Sequence, residues 1–355
     1  MKVAIVTIIE YFNHGNRLQN YALAEKIKSL GYEVETLGVH AKRGFHAVIT
    51  IARGMPFFKF VRRINNNIKL TKKSQIVHNL DYMTHKDMHK LSENYDAVVI
   101  GSDQVWNPFF LDYPCVFFGM FAASKKCMSY SASFGISELP KNKLKTYEKG
   151  LSHIPYISVR EDDGKKIIDD LFDGKKECKV VLDPTLLLTR EEWLERAIPF
   201  DKKPKQKYIL TYFVAPKAWQ KKYVKKLAKE TGRVVVNCNR NTDKCFCNTF
   251  LEYIDLLNNA DLVCTNSFHG HALSIALNKP FISFASSYNR NSRISTLLRN
   301  TNLEDRNYQK VTKENCFTTD YSEANAKLNE LREDSFEFLK DTLEKITKDN
   351  GERND

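Results

Sequence analysis

Short apolar runs alternate along this chain with longer segments whose apolar positions recur at helical spacing. Residues 2–9 read as a strand apolar on both faces, the pattern of a parallel sheet covered by helices. A polar turn at 13–17 follows, then helical spacing over 18–30, Gly31 as a stop and a second strand at 32–39. This βαβ opening predicts a doubly wound domain with a ligand loop near residues 12–20. Strands are expected again at 95–100, 127–133, 156–159 and 180–182, with helices at 141–153 and 165–172. A second βαβ series begins with strand 208–214 and helix 219–231, and continues with strand 234–237, helix 250–259 and strand 262–264. The stretch 322–348 carries Leu328, Leu331, Phe336, Leu339, Leu343 and Ile346 at helical spacing, and is expected to pack back across the domains.

The stretch 261–284 is the centre of the pattern: a short apolar strand, a polar turn, a helix stopped at Lys279-Pro280 and another apolar strand. In an open α/β sheet, ligands bind outside the carboxyl ends of the strands, where a helix N-terminus favours anions. His269 and Gly270 fall at that place. Gly270 lets a ligand approach the backbone, and His269 either moves a proton near neutral pH or simply fills a polar gap. The strand ending near Ile100 runs into Gly101-Ser102-Asp103. Asp103 is there a candidate acid/base or sugar-hydroxyl acceptor, or else a cap for the next turn. Arg160 emerges at another strand end and suits bidentate binding of a carboxylate or phosphate, with Glu161 and Asp162 as alternative salt-bridge partners. Asn16, Arg17, Gln19 and Asn20 offer contacts to a hydroxylated ligand, or form a solvated first turn.

At 355 residues the chain is long enough for two or three domains. The boundary is expected near 178: residues 1–177, residues 178–320 with 180–193 as hinge, and a helix and tail at 321–355. A hydrophobic content of 42% and a charged content of 28% describe an ordinary globular protein. No run approaches the eighteen or so apolar residues of a membrane span, and residues 1–10 look like a strand rather than a secretory signal. Eight cysteines without a regular framework suggest a reducing cytoplasm, and Cys245 and Cys247 with Cys238 form a poor zinc pattern. No GxGxxG dinucleotide fingerprint is present. The net charge of +12 calls for an acidic partner. It concentrates between Lys42 and Lys73, where nine Lys or Arg and no acid interleave with Phe45, Phe57, Phe58 and Phe60. This segment either packs its aromatics inward as a solvated helical hairpin or attaches to an anionic membrane surface. Nucleic acid is a weaker reading, because none of its usual binding motifs is visible.

Six pieces in this order resemble the polysaccharide pyruvyl transferase family over nearly the whole chain. They are 16–23 (NRLQNYAL), 101–107 (GSDQVWN), 158–161 (SVRE), 183–186 (DPTL), 267–270 (SFHG) and Arg293-Ile294 with Leu297-Leu298. The resemblance implies two Rossmann-like domains facing a cleft, a GT-B-like α/β fold. It also implies transfer of the enolpyruvyl carbons of phosphoenolpyruvate to two hydroxyls of one sugar, giving a cyclic pyruvate ketal and phosphate. Arg160, His269 and Arg293 match positions that the family associates with phosphoenolpyruvate. Many members carry Arg two residues before the His. Here that position is Ser267, and Arg290 or the helix N-terminus could replace the missing cation. On this reading Arg160 and Arg293 anchor the donor with Ser267, Gly270 and Arg290 beside them, and His269 is the general acid/base with Asp103 as second candidate. Asn16, Arg17, Gln19, Asn20, Trp106 and Asn107 line the acceptor side. No step demands a metal or cofactor. The acceptor is a sugar, free or lipid-linked, and the expected location is cytoplasmic, with docking at the inner membrane face as one option. Two rivals remain open: a glycosyltransferase of the same architecture using a nucleotide sugar, and a non-catalytic protein binding anionic glycan or membrane.

Overall fold

The computed structural model describes residues 1–40, 57–109, 114–238, 247–284 and 291–351. The expectations placed on residues 42–56 (Phe45 among them), on Cys245 and on Arg290 lie outside these. Seven strands form one sheet: β1 (Lys2–Ile8), β2 (Glu33–Val39), β3 (Ile76–Asn79), β4 (Ala97–Asp103), β5 (Cys127–Ala132), β6 (Ile157–Val159) and β7 (Cys178–Val180). Their spatial order is β3-β2-β1-β4-β5-β6-β7, every pair parallel. A second parallel sheet, ordered β11-β10-β8-β9, holds β8 (Tyr208–Tyr212), β9 (Val234–Asn237), β10 (Leu262–Thr265) and β11 (Phe281–Ser283). The first half has helices α1 (His14–Ser29), α2 (Phe57–Ser74), α3 (His85–Ser92), α4 (Pro114–Phe117), α5 (Leu144–Ser152) and α6 (Asp162–Leu171). After them come α7 (Arg190–Arg196), α8 (Ala218–Thr231), α9 (Phe250–Asn258), α10 (Phe268–Ala276), α11 (Asn291–Asn300) and α12 (Ser322–Gly351).

Helices on both faces explain why six of the seven residues of β1 are buried and why the strand reads as an unbroken apolar run. The order reverses between β1 and β4 in the first sheet and between β8 and β10 in the second. Such switch points open a crevice at the carboxyl ends of the strands. Helix α1 starts at His14, earlier than the apolar spacing predicted. The reason is local: Asn13 accepts from the Asn16 amide at 3.3 Å, and Asn16 Nδ2 donates to Ile8 O at 2.9 Å, so the polar turn becomes the first turn of the helix.

Strand β7 pairs with β6 through Ile157↔Cys178 and Val159↔Val180, and the chain then crosses to the second sheet. On the way Asp183 caps a 3-10 turn (Pro184–Leu186), and Thr189 and Glu192 form a capping box at α7. The crossing is buried. Leu182, Leu186, Leu188 and Trp193 share a core with Leu18, Tyr21 and Ala22 of α1 and with Tyr208, Leu210, Phe250 and Ile254. Helix α12 spans both halves, as its spacing predicted. Leu328 joins that shared core, while Leu339, Leu343 and Ile346 pack on Val3, Ile5, Ala97, Val99 and Met128 under the first sheet.

Helix α2 turns Phe60, Arg63, Asn67 and Thr71 inward, with Phe60 against Phe12 at 5.6 Å between ring centroids. Arg63 is fully buried and donates to Cys247 O at 3.1 Å and Cys238 O at 3.0 Å, both in the second half. Asn67 donates to Tyr11 O at 2.6 Å and accepts from Phe250 N at 3.0 Å. This part of the basic segment is therefore a strap between the halves, and Arg62, Lys69, Lys72 and Lys73 remain on its exposed face.

Candidate active site

Helix α10 begins where β10 ends, and its first turn carries the histidines. The amide of Ser267 donates to Thr265 Oγ1 at 3.0 Å, and that hydroxyl donates to Tyr212 O at 2.7 Å. The helix start is thereby fastened to the middle of the second sheet. A side chain at Gly270 would meet Thr265 Oγ1 at 2.2 Å, so only glycine allows this approach. His271 is spent on structure: its Nδ1 bonds Ser267 O at 2.7 Å and its Nε2 bonds Ser283 Oγ at 2.8 Å. Burial holds its pKa down at about 4.

His269 faces the other half of the molecule. Its ring lies so close to α1 that a Cβ on Gly15 would fall 2.3 Å from Nδ1. Its Nε2 is buried, makes no hydrogen bond among the described residues, and sits 3.8 Å from Asp183 Oδ2. Burial draws the His269 pKa below the ordinary value. Asp183 and Asp103 oppose that shift, and Arg160 and Arg293 add to it.

Arg160 leaves β6 with its amide on Ala132 O at 3.1 Å and its guanidinium almost fully buried. Nη1 donates to Asp183 Oδ2 at 2.7 Å, Nη2 lies 3.8 Å from Asp103 Oδ1, and the plane sits 4.3 Å over the Phe268 ring. Burial alone would lower its pKa, but Asp183, Asp103 and Glu161 together raise it, so the charge is permanent. The sequence had offered Glu161 and Asp162 as its partners. Glu161 is one, its Oε2 3.8 Å from Arg160 Nε, while its Oε1 accepts from Ser133 Oγ at 2.7 Å and Phe134 N at 3.2 Å. Asp162 pairs with Thr296 and Arg299 of α11.

Asp103 closes β4 with a left-handed φ of 73°, uncommon for a residue with a Cβ and tolerated best by Asp and Asn. Its carboxylate accepts from Asn16 Nδ2 at 3.0 Å and from Gln104 N at 2.9 Å. Burial would raise its pKa, yet Arg160, His269, Asn16 and Arg293 outweigh burial and hold it below the usual carboxylate value. Arg293, on α11, is nearly buried, and its charge bears on both Asp103 and His269. Both switch points thus contribute to one cluster: Asn16 and Asp103 from the first, His269 from the second, with Arg160, Asp183 and Arg293 around them.

The remaining residues expected at the acceptor side are placed otherwise. Gln19 is buried, accepting from Ser102 N at 3.2 Å and donating to Thr7 Oγ1 at 3.3 Å. Arg17 donates to Asn20 Oδ1 at 2.8 Å and Gln75 Oε1 at 3.2 Å, and Asn20 donates to Thr36 Oγ1 at 3.1 Å. Trp106 is a core residue bonded to Phe117 O at 2.9 Å, and Asn107 Nδ2 holds Gln104 Oε1 at 2.9 Å. In place of an open ligand loop, these side chains fasten α1 and the loop after β4 to the first sheet. Asp183 is the clustered residue to which sequence reasoning gave no role: it stood after the strand at 180–182 and in the DPTL piece of the family resemblance, without a function assigned to it. Its signals were that DPTL piece and a carboxylate inside an apolar run, VVLDPTLLL. A cavity of about 220 Å³ lined by Val39, Leu80, Met88, Val116 and Phe121 lies beyond β2 and includes none of the clustered residues.

The model of the family described as polysaccharide pyruvyl transferase matches residues 13–288. The chain belongs to that family. Asn16, Asp103, Arg160, Asp183 and His269 all lie inside the matched span, and Arg293 lies just beyond it. No curated protein matches the chain in sequence. Among solved structures, it is similar to UGT89C1 from Arabidopsis thaliana complexed with UDP-L-rhamnose, at 9% identity and a TM-score of 0.55. That match covers 98% of this chain and 99% of the other. It is also similar to a protein from Listeria monocytogenes assigned as a UDP-N-acetylglucosamine 2-epimerase. There the identity is 10% and the TM-score 0.51, over 98% and 91% of the two chains. At such identities the likeness shows the fold, that of the GT-B glycosyltransferases and epimerases, and nothing of the chemistry.

Proposed function

We propose that this protein transfers the enolpyruvyl group of phosphoenolpyruvate to two hydroxyls of one sugar, forming a pyruvate ketal and releasing phosphate. The observation that carries this reading is a buried histidine nitrogen, without a hydrogen bond among the described residues, set among two arginines at the meeting of both sheet switch points. The donor has a carboxylate and a phosphate, which Arg160 and Arg293 can each hold. His269 then delivers a proton to C3 of the donor, C2 becomes electrophilic, and a sugar hydroxyl attacks it. Asp103 stays ionised, so it fits the taking or orienting of a hydroxyl proton rather than the giving of one. Phosphate departs and the second hydroxyl closes the ketal. Of the two hydroxyl protons, one ends in the new methyl group and the other on phosphate.

The acceptor we assign is a sugar of a polysaccharide or of its lipid-linked precursor, met at an anionic membrane surface through the exposed face of α2. A nucleotide-sugar donor is the second reading, because the fold is shared with a protein complexed with UDP-L-rhamnose. Thermal shift and calorimetry with phosphoenolpyruvate and with UDP-sugars decide between them. Stabilisation by phosphoenolpyruvate alone, followed by phosphate release with a sugar acceptor, supports pyruvyl transfer; stabilisation by UDP-sugars alone transfers the assignment to glycosyl transfer.

A further inference from the structure

We infer that Asp183 is a positioning residue for this site, its carboxylate setting Arg160 and His269 at fixed places about one oxygen. Asp183 lies on the crossing between the sheets and its side chain is completely buried. Its Oδ1 is locked by its own turn, accepting from Thr185 N at 3.0 Å and Thr185 Oγ1 at 2.6 Å. That leaves Oδ2 directed into the cluster. There it accepts from Arg160 Nη1 at 2.7 Å and Ser102 Oγ at 3.3 Å, and stands 3.8 Å from His269 Nε2. A residue needed only to cap the Pro184–Leu186 turn would use Oδ1 alone. The commitments of Oδ2 reach β4, β6 and α10, which makes Asp183 the anion shared by both halves.

Among the described residues, the charged groups that bear on His269 are Asp183 from the crossing, Asp103 from β4, Arg160 from the end of β6 and Arg293 from α11, and Gly15 of α1 lies against its ring. Asp183 heads the influences that favour a charged imidazole against burial. Its catalytic meaning rests on the pyruvyl-transfer reading: a ring that must carry a proton to C3 needs a fixed anion beside it. Its positional meaning does not.

The test is therefore made first without donor. The His269 ring is titrated by NMR in the full chain, in wild type, Asp183→Asn and Thr185→Val. Asn keeps the size of Asp and one oxygen for Thr185. Val keeps the volume of Thr185 but frees Oδ1, and serves if Asp183→Asn does not fold. The His269 midpoint should fall by about one pH unit or more in Asp183→Asn, and by less in Thr185→Val, as expected for loss or loosening of an anion about 4 Å away. The pH optimum of pyruvyl transfer should move in the same direction. Lower melting temperatures with an unmoved His269 midpoint would overturn the inference and leave Asp183 a turn cap. A midpoint moved in the variants, together with a wild type that forms no ketal, would keep the inference and discard the donor.

Discussion

His269 and His271 stand two residues apart on one helix, yet they point to different sides and carry different loads. His269→Ala should keep phosphoenolpyruvate affinity while losing roughly 10²–10⁴-fold in kcat, whereas a folded His271 variant should keep its rate; single-turnover assays with parallel binding measurements check both. Arg160 needs a gentler change, because removing a buried guanidinium would strand Asp183 and Asp103 at a cost of about 3–5 kcal/mol. Arg160→Lys keeps the charge and loses the fork, so donor affinity should fall roughly ten- to hundredfold with the fold retained. His271 contributes to acid stability instead, alongside buried His14, whose pKa burial also holds down. Its folded pKa of about 4 lies below the unfolded value of about 6.5, so its contribution is complete above pH 6.5 and is lost as pH falls from there towards 4. The difference amounts to on the order of 3 kcal/mol. Melting curves at pH 7.5 and pH 5 should separate widely for wild type and less widely for His271→Gln, even though that variant melts lower at pH 7.5.

At the scale of elements, α2 joins the two halves through Arg63 and Asn67 and leaves a basic face outward. Arg63→Ala should destabilise by about 1.5–3 kcal/mol for each charged hydrogen bond lost, read as a lower urea midpoint. Replacing exposed Lys69, Lys72 and Lys73 by Glu should leave that midpoint nearly unchanged while abolishing flotation with anionic vesicles, each charge near the surface being worth about 1 kcal/mol. Recovery of wild type on neutral and anionic vesicles alike would remove the membrane from the proposal. Much of this scale was legible in the chain. The inner strands are covered on both faces and so read as apolar runs, and α12 displayed its buried stripe directly. Strand β3 was not legible, because this edge strand leaves Ile76 and Asn79 exposed and breaks the run. The site was half legible. His269, Asp103 and Arg160 follow from strand ends and turn chemistry. Asp183 does not, since its partners are distant in sequence: Arg160 by 23 residues and Ser102 by 81. Gln19 and Trp106 sit beside the ligand edge in sequence, and nothing in a sequence distinguishes a polar or aromatic group that meets a ligand from one that fastens a helix.

For the whole molecule, the shared core of α1, the crossing and α9 makes the two sheets one cooperative body. Leu343→Ala, under the first sheet and far from the cluster, should cost about 2–5 kcal/mol and lower a single melting transition rather than split it. The strap formed by α2 has a mechanical consequence. Swinging the halves apart like a clamshell would pull Arg63 off two carbonyls and Asn67 off Phe250 while shearing α12 against both sheets. The protein is in effect bolted at three places around its own crevice. On the pyruvyl-transfer proposal, sugar and donor would be admitted by displacements of side chains and short backbone stretches, and small-angle scattering should give the same radius of gyration with and without phosphoenolpyruvate.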